Sequence, residues 1–272
     1  LRVVLRVGDD VDDGVGLLRD RGKRRAHRDV VHGPPVVVVA AEVGRMIPAG
    51  ATVVDIGAGH GDTTNALLDS GFAVTAIEPV GRMRRIGNQA APRATWSSAT
   101  GEATRLDPES VDAVVSSFGS MYCDPVKGPA EWDRILRPDG ALVMAVFTDE
   151  GFQATMTNRM MEIFSPKSSS IPPHVLWGRP EVARDRLVAH FHDIALTERT
   201  MNWDFDGVEA GMDFYLHGSP VHAWSLHSCR STAQRDNLLA ALRDYLAEHV
   251  DADGHVRAQL HYCVISAIRH RR

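Results

Sequence analysis

Cysteine, aromatic side chains, long apolar runs and an excess of one charge are all scarce in this chain of 272 residues. Its three cysteines, Cys123, Cys229 and Cys263, lack the spacing of metal ligands. That argues against a zinc site or a disulfide framework and for thiols in a reducing compartment. The apolar stretch "VVVVAA" (36–41) is far too short to span a bilayer and is closed by Glu42. No signal pattern of basic, apolar and small-residue regions occurs, so a cytoplasmic protein without a membrane partner is expected. The formal net charge of −5 gives no reason to expect a polyanionic partner. The basic runs "RDRGKRRAHR" (19–28) and "RHRR" (269–272) read as solvated segments rather than phosphate contacts. No basic groove interleaved with aromatics is evident, which leaves nucleic acid without support. Homo-oligomerisation is left open.

What is present is an alternation. After residues 1–35, an arm without helical or alternating period, "VVVVAAEVGRMI" (36–47) reads as a helix following Pro34-Pro35. Strands are expected at 52–57, 72–79, 93–99, 110–118 and 141–147, with helices at 61–70, 80–90 and 130–137 between them. This pace predicts an α/β fold with a doubly wound, mostly parallel sheet covered by helices on both faces. Past Phe147 the rhythm breaks. Helices are expected at 151–164, 179–191, 208–217 and 231–249, a loop at 165–174, and strands at 194–205 and 257–270, one of them antiparallel. The prediction is a single domain over 36–272 with seven strands. Segments at about 151–191 and 206–250 form a helical lid over it. Met156, Met160, Met161 and Trp177 are expected to pack that lid or the core, with an apolar acceptor pocket as the alternative.

The stretch that carries chemistry is "VVDIGAGHGD" (53–62). Glycines after a buried strand let a ligand approach the backbone and let the chain turn sharply into a helix. The dinucleotide fingerprint G-x-G-x-x-G/A is met by Gly57 and Gly59, but its third position holds Asp62. Asp55 adds a second acid. Two carboxylates suit a pyrophosphate poorly and suit a cationic ligand such as S-adenosylmethionine well. The second strand ends in "AIEP", placing Glu78, followed by Pro79, 23 positions after Asp55. An acid there can accept both ribose hydroxyls of an adenosine, in either cofactor. In "TGEATRL" (100–106), Glu102 can meet the adenine amino group and the Ala103 amide a ring nitrogen. A lone loop glutamate is ordinarily surface charge, but this one follows two acids at successive strand tips.

These residues resemble the class I S-adenosylmethionine-dependent methyltransferases. "VVDIGAGHG" is similar to their first motif, "AIEP" to the acidic second-strand motif, "GEA" to the usual "GDA", and "RILRPDGALVMAVF" to the turn into strand five. "SSFGSMYCDP" (116–125), "LWGRPE" (176–181) and "ERTMNWDF" (198–205) resemble a bacterial small-molecule subgroup of the type-11 methyltransferases. The resemblance covers roughly residues 36 to 270 and implies a Rossmann-like methyltransferase fold. It places Asp55, Gly57, Gly59 and Gly61 around the methionine moiety, Glu78 with Pro79 at the ribose, and Glu102 with Ala103 at the adenine. It also places Ser117 and Phe118 beside the cofactor. Two departures stand out: "PDG" replaces "PGG", and His217 in "YLHGSP" (215–220) stands where the subgroup has a tyrosine.

Methyl transfer requires positioning, exclusion of water and, for a hydroxyl acceptor, removal of a proton. Tyr122, His217 and His222 are candidates for the acceptor pocket. His60 is expected to contact the cofactor through backbone or to face solvent. "HFH" (190–192) diverges on a helix, so no metal is expected. "SFGSMY" is not the Asn-Pro-Pro-Tyr pattern used on amino groups of bases. The leading expectation is methylation of a small-molecule acceptor. The alternatives are an NAD-dependent oxidoreductase and a non-catalytic protein that keeps the cofactor-binding fold.

Overall fold

A computed structural model describes residues 31–32, 35–164, 174–218, 226 and 229–271. Pro35 opens helix α1 (Pro35–Met46), in keeping with proline's tolerance in a first helical turn. Five parallel strands then form the centre of the sheet: β2 (Thr52–Ile56), β3 (Ala73–Ile77), β4 (Thr95–Ser97), β5 (Val111–Ser117) and β6 (Leu136–Phe147). Helices α2 (Asp62–Asp69), α3 (Gly81–Ala90) and α4 (Lys127–Ile135) connect them. The helix expected to end at 137 stops at Ile135 because Leu136 already pairs with Val111. The chain then bulges through Asp139, held at φ 62°, before regaining register at Ala141.

A long hairpin completes the sheet: β7 (Phe191–Phe205) and β8 (Val256–Arg269), with β8 antiparallel to both β6 and β7. The order across the sheet is β1-β7-β8-β6-β5-β2-β3-β4. The seven expected strands are thus joined by an eighth. Val31–His32 (β1) lies beside Arg199–Thr200 of β7 and borrows its open edge. Two residues are too few to show a period, so the arm gave no sign of it.

Valines and isoleucines fill both faces of the central strands, as a doubly covered parallel sheet requires. On one face Val54, Ile56, Val114, Leu142 and Met144 pack against Trp132 of α4 and against Trp177 and Leu187, around helix α6 (Pro180–Leu187). On the other, Val53, Val74, Val115 and Val143 meet Val39 and Val43 of α1 and Leu67 of α2.

Strand order reverses between β2 and β5, so a crevice opens at their carboxyl ends. The hairpin overhangs this end. β6 meets β8 only as far as Phe147–Tyr262, whereas β7 and β8 stay paired to Phe205–Val256. A third apolar cluster packs on the overhang. It joins Phe205, Val256 and Leu260 to α5 (Gly151–Phe164), α7 (Gly207–Asp213) and α8 (Thr232–Ala247). Met156 and Met160 are buried there, while Trp177 belongs to the sheet core. The Ser231 hydroxyl accepts from Gln234 N at 3.1 Å and the Gln234 side chain returns to Arg230 N, which fixes the start of α8. The expected helix at 208–217 ends earlier, at Asp213, and becomes a π-turn over Phe214–Gly218. Among the described residues no helix is long and apolar enough to cross a membrane.

Candidate active site

Strand β2 delivers Asp55 to the crevice, and its side chain is wholly buried. One carboxyl oxygen accepts from Thr64 Oγ at 2.7 Å, while Oδ1 has no hydrogen-bond partner. Burial pushes this carboxyl up to about 7. The Thr64 hydroxyl opposes the rise, and the neighbouring Glu78 charge adds to it.

The glycine turn follows at once. Gly57, Gly59 and Gly61 take φ of 70°, 56° and 91°, where a side chain is strained. Close contacts add a second reason for glycine. A Cβ on Gly57 would lie 2.7 Å from the Cα of Gly119, and one on Gly61 3.2 Å from the carbonyl of Gly87. The turn is therefore clamped between the loop after β5 and helix α3. Gly119 and Gly87 escaped the sequence reading because their need for glycine comes from a partner segment about 30–60 positions away. Ser116 is a third such residue: its hydroxyl donates to Ile56 O at 2.7 Å and accepts from Ser120 N at 2.8 Å.

Four amides of the turn are already committed. Gly57 N and Ala58 N donate to Ile77 O, Gly61 N donates to Ala58 O, and Gly59 N donates to Glu78 Oε2 at 2.9 Å. The other Glu78 oxygen accepts from Val80 N at 2.8 Å. Glu78 thus binds the turn to the tip of β3 and keeps only part of its lone-pair capacity for a ligand. Pro79 follows it, and its carbonyl, like that of Glu78, accepts from Arg84.

Beyond β4, Glu102 accepts from Asp124 N at 2.9 Å and is half-buried. The Ala103 amide donates to Thr100 O at 3.2 Å, closing a tight turn. Among the described residues no cationic side chain pairs with the carboxylate of Asp55, Glu78 or Glu102.

An aromatic cluster follows the end of β5. Ser117 ends β5, and Phe118 turns out of it at φ 63°, with its amide donating to Ala145 O at 2.9 Å. The Phe118 ring stacks on Phe147 at 4.1 Å and meets Tyr262 edge-on at 6.1 Å. A non-glycine residue held there carries strain on the order of 1–3 kcal/mol, which the stacking and the amide bond offset.

Two of the acceptor candidates, Tyr122 and His217, lie on separate short turns. Tyr122 lies in a short 3-10 turn, 47% exposed, with its ring 4.9 Å from that of His174. His217 is 70% exposed on the π-turn, 3.8 Å from Asp213. His222 lies outside the described residues. Two tyrosines are buried in this region: the Tyr215 hydroxyl donates to Gln153 Oε1 at 3.4 Å and that of Tyr245 to Phe152 O at 2.8 Å. Among the described residues no group of three His, Cys, Asp or Glu side chains could hold a metal ion.

Parts of this chain resemble known proteins. Residues 54–144 match the type-11 methyltransferase family, described as a methyltransferase domain. An uncharacterized methyltransferase of Mycobacterium tuberculosis is 37% identical over 98 residues, covering 36% of this chain and 40% of that protein. A demethylmenaquinone methyltransferase of Renibacterium salmoninarum is 30% identical over 130 residues, covering 45% of this chain and 55% of that protein. The chain therefore spans about half the length, or less, of these curated relatives. The YcgJ protein of Bacillus subtilis superposes with a TM-score of 0.55 at 15% identity, over 86% of this chain and 98% of the other. The fold is that of the class I S-adenosylmethionine-dependent methyltransferases. Within that fold, residues 54–144 are similar in sequence to a methyltransferase domain.

Proposed function

We propose that this chain is an S-adenosylmethionine-dependent methyltransferase acting on a small-molecule acceptor in a reducing, cytoplasmic setting. The observation that carries the reading is Asp55. It is a fully buried carboxyl with one oxygen unpaired and no cation bonded to it, beside a turn that reaches the crevice. A buried acid in this state calls for a cationic partner. The ammonium and sulfonium of S-adenosylmethionine are of that kind. Glu78 would hold the ribose and Glu102 the adenine edge, while Ser117 and Phe118 would border the methionine end. The cofactor supplies a methyl group activated on a positively charged sulfur.

The protein's part is then to bind, orient and exclude water. The Phe118–Phe147–Tyr262 wall gives an apolar border beside the site, and the helical cap lies at the same end of the sheet. The exposure of His217 argues against that residue as a base. A cytoplasmic setting draws support from the three cysteines, none of which is in a disulfide.

The competing oxidoreductase reading loses ground at the glycine turn. A pyrophosphate is held by open backbone amides, and those of Gly57, Ala58, Gly59 and Gly61 are all committed within the protein. Calorimetric titration with S-adenosylhomocysteine and, separately, with NADH decides between them. Binding of the first alone is expected, and binding of NADH alone would reverse the assignment. Transfer of labelled methyl from S-adenosylmethionine across a panel of small acceptors then tests activity, and none in the panel accepting label would favour a non-catalytic binder.

A further inference from the structure

We propose that Asp55 exchanges a proton with solvent when the methionine end of the cofactor binds on the acid side of neutrality: there it is a carboxylic acid in the ligand-free protein and a carboxylate in the complex. This inference rests on the cofactor reading above. The geometry points to it in three ways. The side chain is fully buried, so water does not stabilise the ionised form. Of the several hydrogen bonds a carboxylate can accept, Asp55 receives one, from Thr64, and Oδ1 receives none.

The third way is the charge around it. Facing Asp55 across the sheet are Val115 of β5 and Ala76 of β3, neither of them ionisable. The charge that does reach it is Glu78, of the same sign. Helix α2 contributes Thr64 and, exposed at its first turn, Asp62. On α1, Glu42 and Arg45 bind each other at the surface, and Arg84 of α3 spends its guanidinium on the carbonyls of Glu78 and Pro79. His60 is the imidazole in the turn itself. The upward displacement of the Asp55 carboxyl, to about 7, agrees with this setting.

When an ammonium arrives, the balance reverses. The O–H bond of the acid breaks, the proton passes to water or buffer, and the carboxylate remains as the partner of the ligand's positive charge. Nothing is oxidised or reduced.

The probe is S-adenosylhomocysteine, which carries the same ammonium. It is titrated calorimetrically into the full chain at about pH 6 and about pH 8.5, each in two buffers of different ionisation heat. Linkage predicts release of nearly one proton per ligand at the lower pH, nearly none at the higher, and affinity about tenfold weaker at the lower. Thr64→Val removes the one donor to the ionised form and should move the midpoint of the affinity curve upward. Asp55→Asn should bind without releasing a proton, and His60→Gln should keep the release.

Tight binding by the wild type with no proton release at the lower pH overturns the proposal. So does an unchanged midpoint in Thr64→Val, release that persists in Asp55→Asn, or release lost in His60→Gln. No binding at either pH overturns the cofactor reading itself, and this inference with it.

Discussion

The two ends of the sheet hold buried carboxyls in opposite conditions. At the amino end, Asp133 of α4 sits between two side chains: Arg269 Nε donates to it at 2.9 Å and His190 Nδ1 lies 2.8 Å away. Arg269 is itself buried and also reaches Glu109 at 3.0 Å and Leu136 O at 2.6 Å. At the carboxyl end, Asp55 has one hydroxyl and no cation. Both acids lie in the same sheet-and-helix core, so burial alone does not separate a structural acid from a functional one. The difference lies in what satisfies them. The first network is closed and fastens the last strand to α4 and β6. The second leaves Oδ1 without a hydrogen-bond partner, the opening that the proposed function assigns to a ligand's charge.

Breaking the closed end should have the largest effect. Arg269→Met leaves Asp133 and Glu109 without their shared guanidinium, at a cost of about 3–5 kcal/mol in denaturant unfolding. The variant that remains folded should bind S-adenosylhomocysteine as the wild type does, since the two ends are separate. Breaking the open end reverses the pattern. Asp55→Ala should weaken that ligand about a hundredfold, or ~3 kcal/mol, while circular dichroism stays native.

The comparison sharpens with pH. A carboxyl whose value is raised on folding contributes stability that is lost as pH climbs from the unfolded value through about 7. Asp55→Asn should therefore stabilise the ligand-free protein above neutrality, by up to about 4 kcal/mol, and lose this advantage toward about pH 4. Thermal unfolding across that range is the check.

Gly119→Ala tests the clamp on the turn. Its Cβ would come within 2.7 Å of both Gly57 Cα and Ile56 O, which should cost about 1–3 kcal/mol of stability by overpacking and weaken ligand binding as the turn shifts. The smallest effect is expected from His217→Ala on its exposed turn, within about 0.5 kcal/mol in stability and without change in cofactor affinity.

Much of this was legible in the sequence because it is local. The alternation of strands and helices, the glycine turn, and acids at three successive strand ends all follow from short-range pattern. What stayed hidden depends on contacts between distant segments. Gly119 and Gly87 are glycines for the sake of the turn they press against, and Ser116 for a carbonyl on another strand. Thr64 gave no sign of holding Asp55 until helix and strand were packed together. The turn closed by the Ala103 amide on Thr100 O was likewise unseen. The acceptor side is harder for the same reason. Its candidates come from separate loops, and proximity in space does not follow from residue type.

A crystal structure of the full chain with S-adenosylhomocysteine tests the central claim most directly. The account predicts the ligand's ammonium close to Asp55 Oδ1, the ribose hydroxyls at Glu78, and the sulfur turned toward Phe118. A ligand seated elsewhere, or one that leaves Asp55 Oδ1 still without a partner, would contradict it.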